Sequence, residues 1–153
     1  MKKQLSSEEY KEQLNNIVLE FINFYNKNYD YDRIVYTEWN GKDVLGHVVM
    51  WHESFARNVD DIVKGRKPNP LKGLLSDVNE VGVQENRKYS INELQERMKT
   101  ANEVIMAEIL DERVKLIPYK KGSRDYSRDE HMEVVYRHIK GHLSDLEEKY
   151  SSK

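Results

Sequence analysis

The sequence predicts an all-α four-helix bundle. Three observations carry that prediction. Four segments repeat apolar residues at steps of three and four, each opens on a helix-start signal, and strand-type alternation is almost absent. No internal repeat is present. At 153 residues the chain is long enough for one substantial core and short for two, so residues 1–153 read as a single domain.

The first helix is predicted from Ser6 to about Asn26. Ser6 and Glu9 have the S-x-x-E spacing of a capping box, in which each side chain satisfies a free backbone N–H at the helix start. Tyr10, Leu14, Ile17, Val18, Phe21 and Tyr25 then share one face. Lys27 to Asn40 is polar and turn-prone, with a short RIVY run that reads as extended. Asn40 is the predicted N-cap of the second helix, and Asp43 lies where a carboxylate favours the positive end of the helix dipole. That helix runs to about Lys64 with the stripe Val44, Val48, Trp51, Phe55, Val59 and Ile62, and Gly65 ends it. His47 falls on one edge of the stripe, half-buried by expectation, and His52 near the other.

GRKPNPLKG follows as a turn-rich segment, and Leu71 to Lys88 reads as a long connection holding a short helix. A connection of this length often covers a site or crosses a bundle. Ser90 and Glu93 form a second capping box, opening a third helix with Ile91, Leu94, Met98, Ala101, Ile105 and Ile109. Pro118 and Gly122 close the connection that follows. Ser127 and Glu130 form a third capping box, and the fourth helix carries Met132, Val135, Tyr136, Ile139, Leu143 and Leu146 to about Tyr150.

Composition narrows the function classes. The residues are 34% charged and 38% hydrophobic with a formal net charge of -2, which fits a globular chain and gives no concentrated basic face for nucleic acid. The Lys120, Lys121, Arg124, Arg128 cluster is interrupted by Asp125, Asp129 and Glu130 and reads as a solvated loop. There are no cysteines, so disulfides, thiolate zinc sites and cysteine nucleophiles are excluded. No stretch approaches the ~20 apolar residues of a membrane span, and MKKQLSSEEYKEQ is not a secretory signal, so a cytoplasmic location is expected. The seven glycines are scattered, which leaves no phosphate loop, and no serine-type triad can be argued from spacing.

The chemistry-bearing pattern is histidine. His138 and His142 are four apart, stacked one turn from each other on the flank of the fourth stripe, and His131 lies seven residues earlier. His138 and His142 with His47 are read in two ways: three ordinary polar side chains, or three neutral nitrogens that hold a divalent ion and leave positions open for water or substrate. The second reading requires neutral imidazole, so occupancy is expected to fall below pH ~6.5. Tyr36, Tyr89 and Tyr136 are candidate proton donors that ten tyrosines make hard to separate. Glu53 is better read as a solvated helix-face residue than as an acid/base group, and Asp43 as a capping residue.

A resemblance bears on that choice. Trp39, Lys42, Asp43, Val44, Leu45, His47 and Trp51 look like the second-helix signature of the DinB-like superfamily, especially its ClbS/DfsB branch. YRHIKGH, from Tyr136 to His142, resembles that branch's closing Y-x-H-x-x-x-H pattern, and VNEVGVQENRKYSINEL, with Asn79, Asn86 and Arg87, is similar to its middle connection. The resemblance implies an up-down-down-up bundle with a long crossover between the second and third helices. It implies a divalent metal, zinc or nickel first, on His47, His138 and His142, and a hydrolase or thiol transferase acting on an electrophilic small molecule in detoxification or self-resistance. It leaves the alternative of a metal-free ClbS-like protein in which Trp39, Trp51 and the tyrosines line a pocket, or of a non-catalytic dimeric bundle. No catalytic residue is assigned. In the metal reading His47 must point inward and His52 is structural.

Overall fold

The structure is a computed structural model that describes residues 4–151; Met1 to Lys3 and Ser152 to Lys153, the ends of the predicted domain, lie outside the described residues. Its elements are α1 (Ser7–Phe24), β1 (Ile34–Tyr36), β2 (Trp39–Asn40), α2 (Gly41–Val63), α3 (Leu75–Asn86), α4 (Ile91–Glu108), β3 (Leu116–Ile117), β4 (Tyr126–Ser127) and α5 (Arg128–Ser151). The four predicted long helices are α1, α2, α4 and α5. The RIVY run is β1, paired antiparallel with β2, and β3 pairs with β4 in a second short ribbon.

Local chemistry sets the helix starts. Ser6 with Glu9 and Ser90 with Glu93 form complete capping boxes. Asn40 and Asp43 form a third, so Asp43 does more than complement the dipole: it closes back on the Asn40 N–H. The start of α5 departs from expectation. Ser127 accepts from the Glu130 N–H at 3.2 Å, but the Glu130 carboxylate is held by both Arg124 guanidinium nitrogens. A charge-assisted pair outcompetes a neutral backbone donor for that carboxylate.

Cross-helix partners fix the topology. Along α1 and α5, Ser7 meets Asp129, Gln13 meets Glu133 and Phe24 meets Tyr150, so the two run parallel. Glu53 meets Arg97 and Lys64 meets Glu108, so α2 and α4 are also parallel. Asn15 with Asn102 and Ile22 with Gln95 make α1 antiparallel to α4, and His47 with His138 and Phe55 with His131 make α2 antiparallel to α5. The bundle is therefore up-down-down-up. Parallel neighbours cannot be joined by a short turn, which is why α2 and α4 are separated by a crossover that includes α3.

That crossover is latched along α2. The Trp51 indole N–H donates to Asn79 Oδ1 at 2.7 Å, the Asn86 amide donates to the Gly46 carbonyl at 2.8 Å, and Arg87 grips Asp43 through two hydrogen bonds of 3.0 Å. Gly46 has no side chain because a Cβ there would lie 2.9 Å from the Asn86 Cβ. Asn86 also accepts from Arg97 at 2.9 Å, so one buried amide ties α2, α3 and α4 together. Asn79, Asn86 and Arg87, which the sequence resemblance singles out, thus hold the crossover in place. Asn86→Ala should cost roughly 1–3 kcal/mol in urea unfolding, the usual penalty for stripping partners from buried polar groups, and a change under a few tenths would show that the latch is not needed.

The core is built where the stripes predict it, from Leu14, Val18 and Phe21 on α1, Val48 and Phe55 on α2, Leu94 and Met98 on α4, and Ile139 and Leu146 on α5. Leu45 and Val49 are buried as well, outside the predicted stripe, on the side of α2 that carries His52, whose ring meets Asn102 of α4. No helix of the described residues is long and apolar enough to cross a membrane.

Candidate metal centre

The antiparallel crossing of α2 and α5 brings His47 opposite the His138 and His142 pair. The His138 Nε2 lies 3.1 Å from the His47 Nε2 and 3.0 Å from the His142 Nε2. One nitrogen from each of the three residues lies within 4.8 Å of the others, so the trio could hold a metal ion. Tetrahedral ligands bound at ~2.0–2.1 Å are roughly 3.3 Å apart, so the two spacings from His138 are a few tenths of an ångström from those of a coordination shell. His47 is 3% exposed rather than half-buried, because the hairpin of β1 and β2 lays the Trp39 ring against it at 4.9 Å.

An outer chain decides where the protons are. The Tyr36 hydroxyl donates to the Asp145 carboxylate at 2.5 Å, since a carboxylate can only accept. Tyr36 Oη is then the acceptor for the His142 Nδ1–H, 3.0 Å away. A neutral His142 so placed has its bare lone pair on Nε2, facing His138. His138 Nε2 can donate one proton to His142, but it then has no lone pair for His47, and an unprotonated His138 faces a second lone pair at His142. Neutral imidazoles therefore cannot satisfy both short contacts with their own protons. A cation shared by the three lone pairs resolves the conflict, and on this ground the donor set fits a divalent ion.

Burial keeps the imidazoles neutral. It pulls His47 down from the ordinary 6.5 to about 3, with the neighbouring His138 and His142 charges adding to the effect. His138 is lowered to about 4 by burial and then by His142. His142 is lowered by burial, partly offset by Asp145. The sequence-based expectation that neutral imidazole is lost below pH ~6.5 is corrected: the neutral donors persist to more acidic pH, because the bundle disfavours the charged forms.

The other candidates separate. Of the three tyrosines, Tyr36 joins the centre, while Tyr89 packs under Arg97 and Tyr136 under Lys140. Glu53 is only partly exposed and Arg97 holds both its oxygens, which makes it a strut between α2 and α4. His52 is structural, with Nε2 3.1 Å from Asn102 Oδ1, and Asn102 in turn donates to Asn15. His131 is buried against Phe55, ring centres 4.4 Å apart, and lies away from the trio. Beside His138, on the side of His131, lies a pocket of about 160 Å³ whose walls include Trp51 and Tyr119, while Trp39 covers His47 instead. Sequence reasoning missed Asp145, although its position three residues after His142 places it on the same face of α5.

Comparison with known proteins follows the geometry. The crystal structure of a mycothiol-dependent maleylpyruvate isomerase is similar, with a TM-score of 0.75 and 11% sequence identity, covering 93% of this chain and 61% of that one. A crystal structure of a mutant of that isomerase matches with a TM-score of 0.74 and the same identity and coverage. This chain thus spans about three fifths of the length of those proteins. The likeness shows a shared all-α helical-bundle fold. No family model matches the chain, and no curated protein matches it.

Proposed function

We propose that this protein is a metal-dependent enzyme in which His47, His138 and His142 hold a divalent ion, zinc or nickel, and that it acts on an electrophilic small molecule as a thiol transferase or hydrolase. The observation that carries the reading is the cluster of three Nε2 atoms whose short contacts neutral imidazoles cannot all satisfy. A thiol-dependent reaction is supported by the fold shared with a mycothiol-dependent isomerase. A bound ion of this kind supplies Lewis acidity, lowering the pKa of water or a thiol beside it. The chain's own residues do the rest. Tyr36 and Asp145 orient the His142 ring, Trp39 shields His47 from water, and the pocket beside His138 provides room for a reactant.

The test is metal uptake by untagged protein stripped of metal and then reconstituted. About one equivalent of zinc or nickel is expected, with thiol-transfer or hydrolytic activity abolished by chelation and restored by the ion. Substoichiometric metal that is the same in wild type and His138→Ala would remove the reading. A second reading, a metal-free ClbS-like protein that sequesters or protects against a small molecule, is favoured by the preformed pocket beside Trp51. It expects binding and protection to survive chelation.

A further inference from the structure

The pocket beside His138 has a composition that the metal centre does not require. Its floor is buried and includes His52, Phe55 and His131, and its rim is half-buried at Pro118, Tyr119 and Val135. Among the described residues that line it there is no Asp, Glu, Lys or Arg. The two histidines of the floor are held neutral by burial. Its walls are fixed from behind. Trp51 is pinned by Asn79 and stacks on Tyr119 with ring centres 4.9 Å apart and planes within 8°. The loop that carries Tyr119 is tied at Pro118 to the Asn58 amide and at Lys121 to the Leu71 carbonyl. At about 160 Å³ the space is close to the ~150 Å³ of an apolar cavity known to take one benzene ring.

We infer that this pocket receives an uncharged, single-ring-sized part of the reactant and discriminates against carboxylates and ammonium groups of the same size. That the occupant is a substrate rests on the proposed function; that the pocket binds it does not. Three physical reasons point to this occupant. An ion entering the pocket of the metal-free protein sheds its water and meets no opposite charge on the lining, so a charged group is rejected by desolvation. A flat ring gains dispersion contact against Trp51, Tyr119 and Phe55. The walls are latched before binding, so little side-chain ordering is lost when the ring enters. Because His138 belongs both to the pocket and to the histidine trio, a substituent on the seated ring is directed at the centre.

The experiment compares 4-fluorophenol with 4-fluorobenzoate by fluorine NMR titration on the full chain at pH 7.5, metal-free and zinc-loaded. These probes share a ring and differ in charge. On the metal-free protein, saturable binding of 4-fluorophenol is expected at about 1 mM or tighter, as for a fragment of this size, with 4-fluorobenzoate at least about tenfold weaker; zinc beside His138 should narrow that gap by attracting the carboxylate. Val135→Phe, which places a second ring in the pocket, should weaken 4-fluorophenol by about tenfold or more while zinc stoichiometry and helix content stay at wild-type values. Equal or tighter binding of the benzoate to the metal-free protein, or no saturation by 4-fluorophenol at about 10 mM, overturns the inference on wild-type protein alone, whether or not the variant folds. Ring binding without metal uptake removes the proposed metal and leaves the pocket assignment standing. Metal uptake without ring binding does the reverse.

Discussion

Replacing His138 with alanine should weaken zinc binding by more than about a hundredfold and leave the bundle folded. The expectation follows from its place between the other two donors. His138 Nε2 makes both short contacts of the trio, so its loss leaves His47 and His142 without the bridging nitrogen. The effect should exceed that of Tyr36→Phe, which keeps all three nitrogens and removes only the acceptor for the His142 Nδ1–H. Loss of an outer partner of that kind commonly costs about ten- to a hundredfold in metal affinity. The two substitutions are therefore graded, and competition titration against a zinc chelator reads both. A separate readout comes from stability. Zinc at about a hundred times its dissociation constant should stabilise wild type by ~2.7 kcal/mol in urea unfolding and give His138→Ala no comparable gain. Equal zinc affinity in the two proteins would mean that the trio is not the binding site.

Much of this arrangement was legible in the sequence, for reasons that differ between elements. Helix starts were legible because capping is local: Ser6 with Glu9 and Ser90 with Glu93 act over three residues and need no tertiary partner. The reciprocal half at Ser127 failed because Arg124, a residue outside the motif, competes for Glu130. The trio was foreseeable from two helix-edge positions and a four-residue spacing, together with a resemblance whose motifs lie at both ends of the chain. What surrounds it was not. Trp39 covers His47, and Tyr36 reaches His142, only because a two-residue turn between β1 and β2 folds that hairpin over the end of α2. Glu53 looked solvated because nothing in α2 announces Arg97, which reaches it from α4 by way of the parallel crossover. The same crossover lays its residues on Asp43 and Gly46, which widens the buried face of α2 beyond its apolar periodicity. Contacts set by helix direction are invisible to a pattern read one helix at a time.

Two histidines that play no part in the trio make the second large effect. His52 and His131 are each 2% exposed, and burial holds each at about 4, below the ordinary 6.5. Asn102 and Glu53 raise His52 slightly, and a backbone hydrogen bond at Ile117 and the Glu130 charge raise His131, but burial is the larger cause in both. The unfolded chain takes up protons at these sites below pH ~6.5 while the folded chain does not until about pH 4. Stability is therefore constant above that window, falls with pH through it, and levels off below it. At ~1.4 kcal/mol per pH unit, each histidine removes about 2 kcal/mol between pH 6.5 and pH 5, and together they remove about 4. Against a total of roughly 5–15 kcal/mol for a domain, such a loss brings the protein towards acid unfolding. In metal-free protein the trio pushes the same way, because its imidazoles are lowered too. Urea unfolding at pH 7 and pH 5 in the presence of EDTA should show a drop of at least ~4 kcal/mol. His131→Phe keeps a ring against Phe55 and deletes one titrating site, so it should reduce that drop by about 2 kcal/mol whatever it does to stability at pH 7. An equal stability at the two pH values would mean that these imidazoles are protonated, and accommodated, inside the folded bundle.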